Sequence, residues 1–384
     1  MDYSNIMAQR VTGIEASGIR KIFDLAATIK NAINLSIGQP DFDVPEAIQA
    51  ACIAAIRAGH NRYPPSAGFP ELRKLVLDHS AKIHGVRPED ALITSGTSGG
   101  LTLALLALVN PGDEVLVPDP YFVSYKHLTA MCGGRAVYYD TYPDFSLDAA
   151  RLEKLITPRT KAILAMSPAN PTGVCLSHKQ KLELAELARA KKLILISDEI
   201  YELFCYSSSS DGRPLDGALL GKSLAAYYPE GTLAVGGLSK TLAMTGWRVG
   251  WVHGPAVLID SLIKLQQFTF VCAPSAAQKA ALGAFDVDLS STVAHYQRKR
   301  DMMLSGLRQA KYEVVEPQGA FYLFPRVPAK YPSGQAFVEE AMKRRLLLVP
   351  GNVFSNRDTH FRISYAASDA VLAESLGVFA EMNG

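Results

Sequence analysis

Seven short apolar runs, each closed by turn residues, recur between residues 91 and 253 and constrain this chain more than any other feature. They are Ala91–Thr94, Glu114–Val117, Arg135–Tyr139, Lys161–Ala165, Leu193–Ser197, Thr232–Val235 and Gly250–His253. Runs of this length and composition read as buried strands. Helical patterns fall between several of them. Pro45 stands at a favoured helix start, and Ile48, Ala51, Cys52, Ala55 and Ile56 follow on one helical face. Ser177 and Gln180 form a capping-box pattern ahead of a Leu/Ala/Lys/Glu helix that reaches about Ala190. Strands alternating with helices must be covered on both faces. The sequence therefore predicts an α/β fold, a mostly parallel seven-stranded sheet sandwiched by helices. Ligands of such sheets bind beyond the carboxyl ends of the strands.

The two ends of the chain read differently. Residues 1–44 hold one short helix pattern, Ile19 to Lys30, and an extended, loop-rich stretch. After about Ser275 a long helical region runs to Lys311. Strand patterns follow at Tyr312–Val315, Phe321–Phe324, Leu346–Val349 and Phe361–Tyr365, and then a final helix. That order suits an α+β unit. A chain of 384 residues has room for about two domains. The pattern divides it into a large domain, 45–275, and a smaller discontinuous one, 1–44 plus 276–384.

Several function classes are disfavoured. A formal net charge of +2 with no block of like charges argues against nucleic acid or an anionic membrane as partner. Five dispersed cysteines without a CxxC pair suggest reduced thiols in a cytoplasmic protein. Scattered histidines, with no HExxH, give a metal site little support. The N-terminus lacks a basic start and an apolar stretch, which predicts no signal peptide. The longest apolar run, Leu101 to Val109, is far below the roughly 20 residues that span a bilayer. Gly217–Ser223 falls one residue short of a P-loop between its glycines and reads as a surface loop.

The chemistry gathers at the strand ends. Leu233-Ala234-Val235 leads into a Gly/Ser turn carrying Lys240, with Arg248 eight residues on. Lysines avoid interiors unless paired or used chemically, and a desolvated lysine attacks carbonyls as the free amine. A Schiff-base lysine beside a phosphate-clamping arginine is what pyridoxal 5′-phosphate (PLP) requires; the bland alternative is a surface lysine at a strand end. Gly96-Thr97-Ser98 joins a strand to a helix and offers N–H groups to an anion, or is only a tight turn. Asn170, in Asn170-Pro171-Thr172-Gly173, is a candidate ligand or a turn residue. Asp198 ends a buried strand, where an acid needs a partner; a protonated pyridine nitrogen is one, a helix N-cap role the other. Arg362 lies inside an apolar strand pattern and wants a carboxylate.

Taken together these segments, in this order, are familiar. With Ser36-Ile37-Gly38-Gln39-Pro40-Asp41, Tyr63-Pro64, Asn110-Pro111-Gly112-Asp113, Asp198-Glu199-Ile200-Tyr201, Ser239-Lys240, Gly246-Trp247-Arg248 and Gly319-Ala320-Phe321-Tyr322, the chain resembles the fold-type I PLP enzymes, class I/II aminotransferases in particular, from about Ile33 to Tyr365. The resemblance implies a PLP-dependent enzyme moving an amino group between an L-α-amino acid and a 2-oxo acid. Lys240 would hold PLP as a Schiff base and shuttle the substrate proton. Asp198 would pair with the pyridine nitrogen, and Asn170 and Tyr201 would bond the ring oxygen. Gly96, Thr97, Ser98, Ser239 and Arg248 would hold the phosphate. Phe122 would stack on the ring, with Tyr121 the competing choice. Tyr63 would reach the phosphate of the neighbouring subunit, making a homodimer part of the site. Arg362, helped by Gly38 and Asn170, would hold the substrate α-carboxylate.

Two departures stand out. Gly237 replaces a serine common in the family three residues before the lysine, which removes a phosphate hydroxyl. Ser98 stands where some aspartate-using relatives carry a lysine; Arg10 or Arg20 would be a substitute cation. Ile14, Ile19 and Phe23 are candidates for lining a side-chain pocket suited to apolar or aromatic substrates. A C–S β-lyase acting on the same scaffold is the nearest alternative reaction, since fold does not fix chemistry. A regulatory protein retaining the fold without catalysis is the third.

Overall fold

The computed structural model describes residues 3, 6–14, 18 and 29–383. Its centre is a seven-stranded sheet: β2 (Asp90–Ser95), β3 (Glu114–Asp119), β4 (Arg135–Asp140), β5 (Thr160–Met166), β6 (Ile194–Asp198), β7 (Thr232–Gly237) and β8 (Val249–Gly254). The strand order is β2-β8-β7-β6-β5-β3-β4. Only β8 runs against the other six. All seven predicted strands are present, and successive residues along them enter different cores. Leu164, Ile196 and Val235 pack on one face with Leu101, Leu105 and Leu262, whereas Ile163, Ala165 and Leu195 pack on the other with Leu184, Ala185 and Ala188. Burial on both faces is why these strands read as continuous apolar runs rather than as alternating ones.

The reversal at β8 positions the site. The eleven residues between β7 and β8 contain Lys240 and Arg248, so both stay at the end of the sheet where the parallel strands finish. Pairing of Ser95 with Val249 brings the start of the next helix, Gly96–Leu108, against Arg248. Gly250 makes that approach possible: a Cβ there would lie 2.6 Å from the Gly96 carbonyl carbon and 2.7 Å from the Thr97 nitrogen. The capping box of the His178–Lys191 helix also forms, with Ser177 and Gln180 bonding each other's backbone N–H.

Beyond the large sheet, β1 (Ile33–Asn34) pairs in parallel with β10 (Leu346–Leu347), so the described part of the early chain joins the late chain. β9 (Tyr322–Leu323), β11 (Val349–Pro350) and β12 (Phe361–Ser364) form a small antiparallel sheet.

Four expectations need correction. Tyr312–Val315 is not a strand; Tyr312 is buried and spends its hydroxyl on the Phe379 carbonyl. Leu346–Val349 is not one strand, because the chain leaves β10 at Leu348 and enters a different sheet as β11. The helical region after Ser275 is broken, running Ser275–Ala280, a 3-10 stretch Ala281–Asp286, then Ser290–Gln309. Gly217–Ser223 is not simply a surface loop: Gly217–Leu220 is a helical turn and Ser223 is buried. The predicted helix from Ile19 lies outside the described residues, as do Arg20 and Phe23.

Gly250→Ala should lower the melting temperature, since overpacking costs about 1–3 kcal/mol. Gly99→Ala is the control, because its Cβ meets nothing closer than 3.5 Å. Calorimetry of both variants beside the wild type checks the contrast.

Candidate active site

Beyond the carboxyl ends of these strands lies a cavity of about 220 Å³ lined by Gly38, Thr97, Ser98, Phe122, Asn170, Asp198, Tyr201, Ser239, Lys240, Arg248 and Arg362. Leu101, Met166, Ile200, Thr245 and Tyr322 complete its wall. A larger cavity of about 500 Å³, lined by His79, Trp251 and Phe285, lies beside it and shares Ile200. The reactive groups converge in the smaller one.

Lys240 Nζ donates to the Gly38 carbonyl at 2.7 Å. Burial, then the positive charges of Arg362 and Arg248, push its pKa down to about 8, against the opposing pull of Asp198. Asp198 ends β6 inside the protein, and burial raises its carboxyl to about 6. The Tyr125 hydroxyl donates to its Oδ2 at 2.7 Å and the Ile200 N–H to its Oδ1 at 3.3 Å, and both favour the charged form. Burial and these hydrogen bonds act in opposite directions on Asp198, and a cation placed against it would favour the carboxylate.

Arg362 is fully buried on β12, its guanidinium 4.8 Å from both the Tyr322 and Phe354 ring centres. It donates to Asn170 Oδ1 at 3.2 Å and to the Ser36 carbonyl at 2.6 Å, while its Nε has no hydrogen-bond partner. Tyr201 and Tyr322 share a hydroxyl–hydroxyl bond of 2.7 Å.

The opposite end of the cavity suits an anion. The Gly96–Leu108 helix starts there without a side-chain cap, so its first N–H groups face the cavity unspent. Gly96 has φ +70°, and a Cβ on it would lie 2.4 Å from an Arg248 guanidinium nitrogen. Arg248 is held by the Thr245 and Ser95 carbonyls at 2.8 and 3.3 Å. The Ser239 hydroxyl is buried without a partner. A backbone cradle, an unpartnered hydroxyl and a fixed guanidinium at one end, with a buried carboxylate and a low-pKa amine elsewhere, fit a phosphorylated pyridine aldehyde.

The sequence-derived residues sort cleanly by position. Phe122 lines the cavity; Tyr121 is buried behind it, stacked on Tyr138 with centroids 5.2 Å apart. Tyr63 is 85% exposed, and the single chain does not bring it into the cavity. Arg10 is exposed and absent from the lining. Gly237 does not line this cavity either; its Cβ would meet the Gly250 Cα and Val249 carbonyl at 3.1 Å. Tyr125, Met166 and Tyr322 were missed. Tyr125 is three residues beyond Phe122, whose carbonyl accepts its N–H at 3.0 Å, and only that proximity in the chain could have pointed to it.

The far side of the Asp198 turn is also buried. Glu199 accepts from the Ser197 and Ser223 hydroxyls at 2.6 and 2.7 Å, and Glu202 faces His84 Nε2 at 2.9 Å. The three side chains bring potential ligand atoms within 4.8 Å of one another. However, His84 Nδ1 accepts the Ser223 N–H at 3.1 Å, which leaves the proton on Nε2 and no lone pair there for a cation.

A profile of the aminotransferase class I and II family matches residues 30–378. The chain belongs to that family. It is 35% identical over 384 residues to an aspartate aminotransferase of Pyrococcus abyssi, covering 96% of each chain. It is 34% identical to aromatic-amino-acid aminotransferase 2 of Thermococcus litoralis, again covering 96% of each. The solved structure of Thermus thermophilus aspartate aminotransferase with maleate superposes with a TM-score of 0.91 at 33% identity, covering 98% of this chain and 99% of that one. The protein is an aminotransferase, an enzyme of amino-group transfer between an α-amino acid and a 2-oxo acid, in a family that uses PLP. These relatives are named for that transfer and none for C–S cleavage, so nothing in them favours the lyase alternative.

The depressed pKa of Lys240 is directly measurable. At pH 7 roughly a tenth of an amine titrating near 8 is free base, against below about one part in a thousand for an ordinary lysine. Competitive amine labelling of cofactor-free protein from pH 6 to 10, with peptide mapping, should show half-maximal reactivity of Lys240 near pH 8 and of surface lysines above pH 10.

Proposed function

We propose that this aminotransferase binds PLP in the 220 Å³ cavity and that Lys240 is its covalent attachment point. The observation that carries the proposal is the convergence of a low-pKa lysine, a buried aspartate and an anion cradle in one cavity. When bound, PLP supplies an electron sink that stabilises negative charge at the substrate Cα.

The chain's own residues do the rest. Asp198, oriented by Tyr125, keeps the pyridine nitrogen protonated. Asn170 and Tyr201 hydrogen-bond the ring oxygen, and Phe122 covers one ring face. The Gly96-Thr97-Ser98 backbone, Ser239 and Arg248 hold the phosphate. Backbone N–H groups of the cradle take the place of the hydroxyl that Gly237 lacks. Arg362, with Asn170 and the backbone of Gly38, receives the substrate α-carboxylate and fixes the Cα within reach of Lys240. Lys240 Nζ then takes and returns the Cα proton; a pKa near 8 suits it to both steps near neutral pH.

The reading extends to the assembly. Phe268 is 89% exposed, and Phe270 and Val271 are also exposed; Phe270 lies 3.9 Å from the Cβ position of Gly99, beside the phosphate cradle. These exposed apolar side chains, and an exposed Tyr63, support a homodimer in which Tyr63 reaches the partner's phosphate. The division into 45–275 and 1–44 plus 276–384 belongs to the same reading, supported by a large sheet contained within residues 90–254. Five free thiols support a cytoplasmic enzyme. No helix among the described residues is long and apolar enough to cross a membrane.

The deciding experiment adds amino acids singly to the PLP-loaded protein. Aspartate, aromatic and other L-amino acids are compared, and at least one should convert the cofactor spectrum to the pyridoxamine form; no conversion with any of them defeats the proposal. Lys240→Ala should still bind PLP, without covalent attachment and with transfer abolished.

For the assembly, light scattering should give twice the 41.5 kDa chain mass. A monomer at micromolar concentration would remove Tyr63 from the site.

A further inference from the structure

We propose that Cys175 and Cys205 form a redox modification site, a thiol pair that a peroxide-class oxidant converts to a reversible disulfide. The two residues belong to separate segments, yet their sulfurs are 3.9 Å apart, which is van der Waals contact. None of the other three cysteines, Cys52, Cys132 and Cys272, has a sulfur contact of this kind among the described residues.

The pair is held by its surroundings. The Cys175 N–H donates to Gln318 Oε1 at 3.0 Å, and Cys205 forms a β-bridge with Gly319. Adjacent residues thus fix both cysteine backbones, and the Gly319 N–H bonds the Gly173 carbonyl at 3.0 Å between them. A third group completes the site. Lys181 is buried, with its ammonium donating to the Leu219, Leu220 and Lys222 carbonyls at 3.2, 2.6 and 2.7 Å. Its charge opposes the effect of burial on Cys175. A fixed cation beside a thiol favours the thiolate. Burial still holds the Cys175 thiol well above its ordinary range, with Lys181 opposing, whereas Cys205 is only partly buried. Cys205 is therefore the sulfur that meets an oxidant first, and Cys175 the one that resolves it.

The chemistry balances. The Cys205 thiolate attacks one oxygen of hydrogen peroxide; the O–O bond breaks, giving a sulfenic acid and hydroxide, which the displaced thiol proton turns to water. The Cys175 sulfur then attacks the sulfenyl sulfur. The S–S bond forms, the S–O bond breaks, and the Cys175 proton leaves with the oxygen as a second water. Two thiols lose two electrons and one peroxide gains them. Closing the pair to the ~2.05 Å of a disulfide needs a movement of about 2 Å, within reach of side-chain rotation and a small backbone shift.

The bond would join two segments that line the cavity. Cys175 lies five residues beyond Asn170, and Cys205 four beyond Tyr201. The Gln318 side chain that holds Cys175 and the Gly319 backbone that holds Cys205 belong to the segment that leads to Tyr322. Oxidation therefore ties together the supports of three cavity residues, and it should slow amino transfer. The oxidation itself does not depend on the proposed cofactor roles; only the activity readout does.

The test treats the PLP-loaded wild type with hydrogen peroxide, alkylates it in denaturant and maps the peptides. Alkylatable thiols should fall from five to three, with one cross-linked peptide pair containing Cys175 and Cys205, and dithiothreitol should restore all five. Cys175→Ser should leave Cys205 as a sulfenic acid that dimedone traps. Five thiols surviving oxidation, or losses mapping to Cys52, Cys132 or Cys272, would overturn the assignment. Since the wild-type map decides alone, a variant that fails to fold does not rescue the idea. Activity should drop several-fold in step with the cross-link and return on reduction. A full cross-link with unchanged activity would refute the coupling to the cavity.

Discussion

A buried amine and a buried carboxyl group lining one cavity set the terms for the rest of this structure. Lys240 shares its enclosure with two arginines and only one acid, so burial and like charge act in the same direction and its proton is held loosely. Asp198 is displaced the opposite way by the same burial, to about 6. Neither shift would arise at a surface, where solvent screens such charges. Everything that keeps water out is therefore part of the chemistry: the helix start closed over Arg248, the Phe122 face, and the Tyr322 and Phe354 rings around Arg362.

Holding such groups in place needs support from outside the cavity. The turn after β6 divides its side chains between two environments. Asp198 and Tyr201 face the cavity, while Glu199 and Glu202 face away and are satisfied by Ser197, Ser223 and His84. Breaking a buried bond on the far side would leave an uncompensated carboxylate, which is costly. The turn is thus pinned from behind, and the carboxylate on its front keeps a fixed position. The same economy recurs at Gln318 and Gly319, whose backbones anchor both cysteine segments and lead into Tyr322.

Much of this was legible in the sequence because the relevant forces are local. Apolar runs longer than a turn, punctuated by glycine and proline, marked all seven strands of the large sheet. A lysine, an aspartate and an arginine at strand ends or inside a strand were anomalous enough to mark Lys240, Asp198 and Arg362. Other parts depended on distant partners. Tyr312–Val315 has the composition of a strand, but the segment joins no sheet, and Tyr312 bonds the Phe379 carbonyl instead. Leu346–Val349 reads as one strand, yet its two halves belong to different sheets. Tyr125 looks like one aromatic among many until the crossing of β6 puts Asp198 2.7 Å from its hydroxyl.

By itself, the order of residues determined the alternation of strand and helix, the burial of the sheet on both faces, and the short set of ionisable groups able to do chemistry. Those follow from periodicity and from the cost of burying charge, which each segment carries wherever it ends up. Tertiary structure alone decided which aromatic faces the cavity, which hydroxyl orients the aspartate, and which two of five thiols touch. Such relations join residues tens to hundreds of positions apart. They are fixed only when β8 turns back along β7 and the strand register brings remote side chains within a few ångströms.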